Sequence, residues 1–209
     1  MGLHVKICGI TRPEDALLAE SLGASALGYI FYPKSPRYIE PEKASSLTSV
    51  LGPFIGTVGV FVDEDLETVN EIIETAGLTA VQLHGSETPD YCARIKCATV
   101  IKAFRVGSNF DLSKLKQYAG YTLLLDAYSK DSHGGTGKTF DWRIAREAVK
   151  LGRVILAGGL NESNVREAVD AVKPWAIDIS SGIEISPGIK DHDRMIALFE
   201  IINSMRTKN

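Results

Sequence analysis

The stretch YTLLLD at residues 121–126 decides the fold prediction, and RVILA at residues 153–157 repeats its pattern. Both stretches are apolar at consecutive positions rather than at alternate ones, which is typical of strands that are buried on both faces. Such strands belong to parallel sheets, because the helices that connect parallel strands pack on the two sheet faces. The two stretches therefore predict a parallel sheet that is covered by helices.

Apolar runs of the same kind recur along the chain and alternate with stretches of helical composition. The runs occupy residues 3–8, 25–31, 54–61, 80–83, 100–104, 122–126, 154–157 and 176–180. Eight strand–helix units in a chain of 209 residues predict an α/β fold, a single-domain (β/α)8 TIM barrel over residues 1–209. An open doubly wound sheet is the alternative, because alternation alone does not reveal the order of the strands.

Two helix starts carry the signature of capping residues. Thr11 and Glu14 have the spacing of a capping box, in which Thr11 is the N-cap and Glu14 reaches back to it. Asn161 stands where an N-cap residue belongs before a helical stretch at residues 162–172. We therefore predict that helices begin directly after these two positions.

Charge and cysteine usage exclude several classes of protein. The formal net charge is −3 and no block of five Lys or Arg occurs, so we expect no nucleic-acid partner. The three cysteines, Cys8, Cys92 and Cys97, lack the spacing of a disulfide framework or a zinc site. The N-terminal residues contain no long apolar run, so neither a secretion signal nor a membrane span is predicted. A soluble cytoplasmic protein without a membrane partner or a bound metal fits these features best.

Polar residues at the C-terminal ends of barrel strands are the first candidates for catalysis. Cys8 follows the first apolar run, and its thiolate could act as a base or nucleophile if a positive neighbour lowers its pKa. The alternative is a buried, inert thiol. Asp126 follows three leucines, where burial would raise the pKa of an isolated carboxyl group and keep it able to donate a proton. The alternative is an exposed carboxylate, or one paired with Lys or Arg.

Three turns of small residues are candidates for a phosphate site. They read GGTGK at residues 134–138, AGGLN at residues 157–161 and SSGIE at residues 180–184. Glycines let backbone N–H groups approach an anion, and barrels often bind phosphate with the loops after strands seven and eight, where the last two turns fall. The first turn lacks the earlier glycine of a P-loop, so a nucleoside triphosphatase is rejected.

Two more side chains are candidates for substrate contacts. Arg37 lies on the loop after the second strand, where it could hold a carboxylate in a bidentate pair or could be a solvated surface residue. His84 ends the fourth strand, where it could line the pocket or bond a loop carbonyl. We take both as candidate substrate-binding residues.

Seven motifs together resemble the phosphoribosylanthranilate isomerases. They are VKICGIT at residues 5–11, SPRYI at 35–39, QLHG at 82–85, LD at 125–126, GGTG at 134–137, AGGL at 157–160 and DISSGIE at 178–184. They follow one another in order over nearly the whole chain. The combination is specific to that family, although the glycine turns alone occur in many phosphate-binding barrels.

The resemblance implies a step of tryptophan biosynthesis that needs neither a metal nor an organic cofactor. This step is the Amadori rearrangement of N-(5-phosphoribosyl)anthranilate to 1-(2-carboxyphenylamino)-1-deoxyribulose 5-phosphate. The resemblance implies that Asp126 is the general acid and Cys8 the general base. Arg37 would bind the anthranilate carboxylate, and Asp178 would contact the anthranilate side of the substrate. The phosphate would be held by Gly135, Gly158, Gly159, Ser181 and Gly182.

Other functions remain open at this point. A histidine-pathway sugar isomerase has related chemistry but uses Asp where this chain has Cys8. A ribulose-phosphate epimerase needs metal-binding His and Asp residues at strand ends, where His84 is the only histidine. A non-catalytic protein that binds a phosphorylated metabolite would explain the glycine turns but not Cys8 and Asp126. The expected partner is a phosphorylated sugar substrate, and the sequence leaves open whether the chain is a monomer or a homodimer.

Overall fold

The structure, a computed structural model, describes residues 2–107, 110–126 and 142–206 of the chain. Strands and helices alternate along it. The strands of the main sheet are β1 (His4–Cys8), β2 (Ala26–Ile30), β3 (Gly56–Phe61), β4 (Ala80–Leu83), β5 (Thr99–Arg105), β6 (Thr122–Asp126), β7 (Val154–Ala157) and β8 (Ala176–Ile179).

Helices follow the strands and form the outer layer. They are α1 (Pro13–Ser21), α2 (Pro41–Thr48), α3 (Leu66–Ala76), α4 (Pro89–Ala93), α5 (Ser113–Lys116), α6 (Trp142–Val149), α7 (Val165–Val172) and α8 (His192–Arg206). A short 3-10 helix (Ser181–Ile183) and a hairpin of β9 (Glu184–Ser186) and β10 (Ile189–Lys190) precede α8. None of the helices in the described ranges combines the length and the apolar character needed to cross a membrane.

The strands β1–β8 form a closed parallel barrel in which each strand pairs with the next. The barrel closes where β1 pairs with β8 in parallel, with Lys6 opposite Asp178. An open doubly wound sheet would leave its edge strands unpaired, so this pairing excludes that alternative. The (β/α)8 barrel predicted from the sequence is confirmed.

The strand boundaries follow the apolar runs closely. The runs at residues 80–83, 122–126 and 154–157 coincide with β4, β6 and β7, and the other ends differ by one or two residues. Phe54 lies before β3 rather than in it, and its side chain is 99% exposed. Ser180 lies after β8, because its backbone (φ −130°, ψ −90°) turns away into the 3-10 helix.

Consecutive apolar residues are explained by two apolar layers. Successive side chains of a strand point to opposite faces, so one set fills the barrel and the other meets the helices. Ile101, Ala103 and Leu124 belong to a small buried cluster of strand residues. Tyr29 and Phe199 belong to the larger cluster that includes residues of the helices, and both are fully buried.

The capping prediction at α1 is wrong. The N-cap residue is Arg12, and it makes no side-chain capping hydrogen bond. The hydroxyl of Thr11 instead donates to the carbonyl of Gly188 in the β9–β10 turn, at 2.5 Å. Glu14 forms an ion pair with Arg12. The hydroxyl of Thr11 therefore connects two distant loops, which local spacing could not indicate.

The predicted start of α7 is also wrong, by three residues. The helix begins at Val165, and Asn164 is at its N-cap position. The side chain of Asn161 accepts from the backbone N–H of Ser163 at 2.8 Å. The backbone carbonyl of Asn161 accepts from the N–H of Val165 at 3.0 Å. Asn161 thus stabilises a separate turn that precedes the helix.

Candidate active site

A cavity of about 400 Å³ lies at the C-terminal ends of the barrel strands. This is the end at which barrel enzymes carry their chemistry, and the volume suits a small-molecule site. Nine of the predicted site residues line it: Cys8, Arg37, His84, Asp126, Gly158, Gly159, Asp178, Ser181 and Gly182. The tenth, Gly135, lies outside the described residues. The fold therefore gathers residues from distant motifs around one cavity.

Cys8 ends β1, and its side chain is buried at the cavity wall. Gly28 of β2 lies opposite it, and a Cβ atom at that position would be only 2.8 Å from the Cys8 Sγ atom. Burial raises the pKa of the Cys8 thiol because it disfavours the thiolate. The positive charges of Lys6 and Lys190 offset part of this effect, while the negative charge of Asp178 adds to it.

Lys6 and Asp178 form a buried ion pair beside Cys8. The Lys6 ammonium donates to both carboxylate oxygens of Asp178 at 3.0 Å, and both side chains are less than a tenth exposed. Burial lowers the pKa of Lys6, but the charges of Asp178 and Cys8 outweigh it, so the pKa is raised overall. The site therefore keeps a cation next to the thiol, as the Cys8 hypothesis required, but burial outweighs its effect, so the pKa of Cys8 is raised rather than lowered.

Asp126 ends β6, and its carboxyl group is partly exposed to the cavity. It is not isolated, because the Nε2 atom of His84 lies 3.5 Å from its Oδ2 atom. The Nδ1 atom of His84 lies 3.0 Å from Nε2 of Gln82, which is buried. When the Gln82 amide donates to Nδ1, the imidazole carries its proton on Nε2, facing Asp126. His84 therefore lines the pocket with its Nε2 atom near Asp126, although the two side chains do not form a hydrogen bond.

Arg37, which lines the cavity, is held by the carboxylate of Glu184. Its Nε and Nη2 atoms donate to Glu184, with Nη2 at 2.6 Å from Oε2. Burial raises the pKa of Glu184, but hydrogen bonds and charge from Arg37 and Lys190 outweigh it and hold the pKa below its usual range. Arg37 is thus not a freely solvated surface residue.

The turns after β7 and β8 form a glycine-rich wall of the cavity. Gly158 and Gly159 have φ values of 94° and 65°, which glycine adopts most readily. A Cβ atom at Gly182 would lie 1.9 Å from the carbonyl oxygen of Leu160, so the two turns pack backbone against backbone. The side chain of Asn164 donates to the carbonyl of Gly159 at 3.0 Å and fixes the first turn. Backbone groups of both turns are therefore available to an anion at close range.

Four buried or partly buried residues of the site were not predicted: Lys6, Gln82, Glu184 and Lys190. Two of them could have been predicted from their spacing in the sequence. Lys6 and Gln82 each stand two residues before a predicted site residue, Cys8 at the end of β1 and His84 directly after β4, and residues at that spacing share a strand face. Glu184 and Lys190 reach the site through the β9–β10 hairpin, which the sequence pattern did not indicate.

A second cavity, of about 600 Å³, lies at the opposite end of the barrel. Leu3, Trp175 and Met205 contribute to its lining, together with charged residues such as Arg153. The guanidinium of Arg153 lies over the ring of Trp175, 5.3 Å from its centroid. This cavity does not include Cys8 or Asp126. Within the described ranges, no cluster of three His, Cys, Asp or Glu residues could hold a metal ion.

The fold and the cavity together match a barrel enzyme, with ionisable side chains gathered at the C-terminal mouth. Comparison with known proteins specifies the family. A family model described as N-(5'phosphoribosyl)anthranilate (PRA) isomerase matches residues 5–201. The chain belongs to this family and is an isomerase, as the resemblance of its motifs predicted.

Relatives and solved structures agree with this assignment. The N-(5'-phosphoribosyl)anthranilate isomerase of Trichlorobacter lovleyi is 53% identical over 92% of this chain and 94% of its own length. The phosphoribosylanthranilate isomerase structure from Thermotoga maritima has a TM-score of 0.90 and 43% identity, and covers 97% of this chain and 99% of its own. A phosphoribosylanthranilate isomerase in complex with reduced 1-(o-carboxyphenylamino)-1-deoxyribulose 5-phosphate has a TM-score of 0.87 and 42% identity, and covers 97% of this chain and 99% of its own.

Proposed function

We propose that this chain, as one catalytic domain, converts N-(5-phosphoribosyl)anthranilate to 1-(2-carboxyphenylamino)-1-deoxyribulose 5-phosphate in tryptophan biosynthesis. The observation that carries the proposal is that Cys8 and Asp126, at the ends of β1 and β6, line one cavity with Arg37 and the glycine turns. An acid and a base thus reach one bound sugar. The related isomerase that was solved with a reduced form of this product supports the choice of substrate.

Asp126 is the general acid in this proposal. Its carboxyl group gives a proton to the ring oxygen of the ribose, and the bond between that oxygen and C1 breaks. The electron pair of the anilino nitrogen forms the C1=N bond of an iminium ion. Asp126 is left as a carboxylate, which the Nε2 side of His84, 3.5 Å away, can stabilise.

Cys8 is the general base. Its thiolate takes the proton from C2 of the iminium ion, and the electron pair of that bond neutralises the nitrogen to give an enolamine. The enolamine then tautomerises to the ketone, as C1 gains a proton and the C2 hydroxyl loses one. Burial raises the pKa of Cys8, which makes the thiolate a stronger base. The Lys6 cation limits this rise, so the thiolate can still form. No atom is gained or lost overall, so the step needs no co-reactant.

Three further contacts place the substrate. The turns at Gly158, Gly159, Ser181 and Gly182 hold the phosphate, since their glycines let backbone groups approach an anion closely. Gly135 completes this phosphate site. Arg37 binds the anthranilate carboxylate, as a charged bidentate donor suits it. Asp178, which Lys6 holds in place, contacts the anthranilate side.

We further propose that the chain forms a homodimer through the N-terminal end of its barrel. Phe54 projects from the α2–β3 turn at that end, 99% exposed, and Val50 beside it is 53% exposed. The cavity of about 600 Å³ lies at the same end, before β1 and β8. A two-fold contact through this end would bury Phe54 of both copies at one interface. A solved structure describes monomers of the dimeric isomerase from Thermotoga maritima, which supports a dimer.

The remaining partner and compartment assignments rest on composition. The three cysteines are free thiols in the structure, which suits the reducing cytoplasm. The net charge of −3 offers no basis for a nucleic-acid partner. We therefore place the reaction in the cytoplasm, with a phosphorylated sugar as the ligand and no requirement for a metal or an organic cofactor.

The test is the fluorescence decay of freshly made phosphoribosylanthranilate with wild type, Cys8→Ala and Asp126→Asn. Wild type is expected to accelerate the decay, and each variant to lose roughly 10²–10⁴-fold in kcat, the usual contribution of one acid–base group. The variants should keep their affinity for a reduced product analogue, because neither group is needed for binding. Folded wild type that fails to accelerate the decay would contradict the proposed function.

A further inference from the structure

The β9–β10 hairpin carries two charged residues into the site from a segment outside the barrel. Glu184 accepts hydrogen bonds from Nε and Nη2 of Arg37. Lys190, which is 1% exposed, donates to Glu184 at 2.9 Å. The side chains of Lys190, Glu184 and Arg37 are thus linked in series by hydrogen bonds, and we call these three side chains the hairpin brace.

Lys190 connects the hairpin brace to the ends of two barrel strands. Its ammonium donates to the carbonyl of Cys8 at 2.6 Å and to the carbonyl of Ser180 at 3.3 Å. Three acceptors therefore surround one ammonium, which matches its three N–H donors. Burial lowers the pKa of Lys190, and the carboxylate of Glu184 offsets part of this effect. The brace is consequently fixed to the strand that carries Cys8.

The turn of the hairpin is fixed as well. Thr11 donates to the carbonyl of Gly188, and the N–H of Gly188 lies 3.3 Å from Oε1 of Glu184. The backbone N–H of Lys190 lies 3.2 Å from the carboxylate of the fully buried Asp15. These contacts leave Glu184 little freedom to move, so its carboxylate is a rigid acceptor for Arg37.

Glu184 binds one side of the Arg37 guanidinium and leaves the other side open. A guanidinium has five N–H donors that form two forks, one at Nε and Nη2 and one at Nη1 and Nη2. Glu184 occupies the first fork, while Nη1 has no hydrogen-bond partner among the described residues. Arg37 lines the cavity. The second fork, with two parallel N–H groups, is therefore left for a planar carboxylate of a ligand.

We propose that Glu184, anchored by Lys190, is the positioning residue that makes Arg37 selective for a ligand carboxylate in this cavity. Without Glu184, Arg37 keeps its charge but loses the fixed orientation of its guanidinium plane. A freely rotating guanidinium attracts anions in general but pays in conformational entropy to form the bidentate pair. This inference rests on the proposed function, because it assumes that the anthranilate carboxylate meets Arg37.

The test measures the dissociation constants of two ligands. One is reduced 1-(o-carboxyphenylamino)-1-deoxyribulose 5-phosphate, and the other is the same molecule without the ring carboxylate. Wild type should prefer the carboxylated ligand by roughly 10- to 100-fold, as a charge-assisted bidentate pair allows. Glu184→Asp keeps the charge but withdraws the carboxylate by one methylene, and Glu184→Gln keeps the length but removes the charge. Both variants should lose most of the preference, while the affinity for the ligand without a carboxylate stays within about 2-fold.

The matched control is Glu162→Gln, which removes the carboxylate partner of another arginine, Arg194, in a pair that does not line the cavity. It should keep the wild-type preference. A folded Glu184→Asp variant with an unchanged preference would overturn the inference, and so would equal losses of affinity for both ligands. Wild type that binds both ligands equally but turns over phosphoribosylanthranilate would overturn the inference alone. Absence of turnover by folded wild type would overturn the proposed function and this inference together.

Discussion

Lys6 is the residue with the greatest influence on the acid–base behaviour of Cys8. It lies on the same face of β1, and its positive charge is the largest effect that opposes the burial of the thiolate. Asp178 acts in the opposite direction, because its negative charge raises the pKa of Cys8. The ionised fraction of Cys8 therefore depends on two opposing charges. The Lys6 ammonium favours the thiolate, and the Asp178 carboxylate disfavours it.

We predict that Lys6→Met raises the pKa of Cys8 further, because the variant removes the cation and leaves the carboxylate of Asp178. Below that pKa the thiolate fraction falls tenfold for each unit of increase, so alkylation of Cys8 by iodoacetamide at pH 8 should slow by roughly tenfold or more. Peptide mass analysis follows the adduct at Cys8, with the exposed Cys97 as an internal control. Unchanged alkylation of Cys8 in the folded variant would contradict the role of Lys6.

The positions of Cys8 and Asp126, the proposed base and acid, could be predicted from the sequence, but their electrostatic environment could not. Cys8 and Asp126 stand at strand ends, and a barrel places all such ends at one mouth. The proximity of His84 to Asp126 depends on side-chain direction across strands that are not adjacent. The role of Glu184 depends on a hairpin that carries no apolar pattern, so neither relation follows from spacing.

At the level of the elements, the loop between β4 and α4 depends on a buried ion pair beneath it. Lys102 of β5 donates to Glu87 at 2.8 Å and to the carbonyls of Leu83 and Gly85. Glu87 in turn accepts from the N–H of Gly85. The loop that carries His84 is thus fixed by one buried charged pair, in which each side chain is 2% exposed.

We predict that Lys102→Met lowers the free energy of unfolding by about 3–5 kcal/mol, because it leaves the carboxylate of Glu87 buried without its partner. Urea unfolding measures the change. The control is Lys150→Met, which removes an exposed partner of Glu147 and should cost at most about 1 kcal/mol. Adding Glu87→Gln to Lys102→Met should recover part of the loss. Equal effects of the two lysine substitutions would contradict the importance of the buried pair.

Helix starts were less predictable than strands, for a physical reason. The strands are marked by burial, which consecutive apolar residues report directly. A helix start depends on what its polar side chains bond, and Thr11 and Asn161 found partners other than the expected ones. Local spacing therefore located the helices α1 and α7 but not their first residues.

At the level of the whole molecule, the two ends of the barrel differ in character. The C-terminal end carries Cys8, Asp126 and the hairpin brace, and the N-terminal end carries the exposed Phe54 and the larger cavity. Burial of an aromatic side chain that is 99% exposed in the single chain would favour association. A dimer through the N-terminal end would cover it and leave both active sites open.

We predict that wild type sediments as a dimer at micromolar concentration and that Phe54→Asp sediments as a monomer, because a buried carboxylate would oppose the contact. Sedimentation velocity measures both. Ile185→Asp is the matched control, since Ile185 is 73% exposed but lies on the hairpin at the other end. Its sedimentation should be that of wild type. A wild-type monomer, or a dimer that survives Phe54→Asp, would contradict the proposed interface.

The most direct test of the acid–base assignment is the kinetic isotope effect with phosphoribosylanthranilate that is deuterated at C2. If Cys8 removes the C2 proton, Cys8→Ala makes that step slower, so the isotope effect on kcat should rise above the wild-type value. If Asp126 protonates the ring oxygen, Asp126→Asn makes ring opening rate-limiting, so the isotope effect should fall towards one. The reverse pattern, or an isotope effect that neither substitution changes, would contradict the assignment of base and acid.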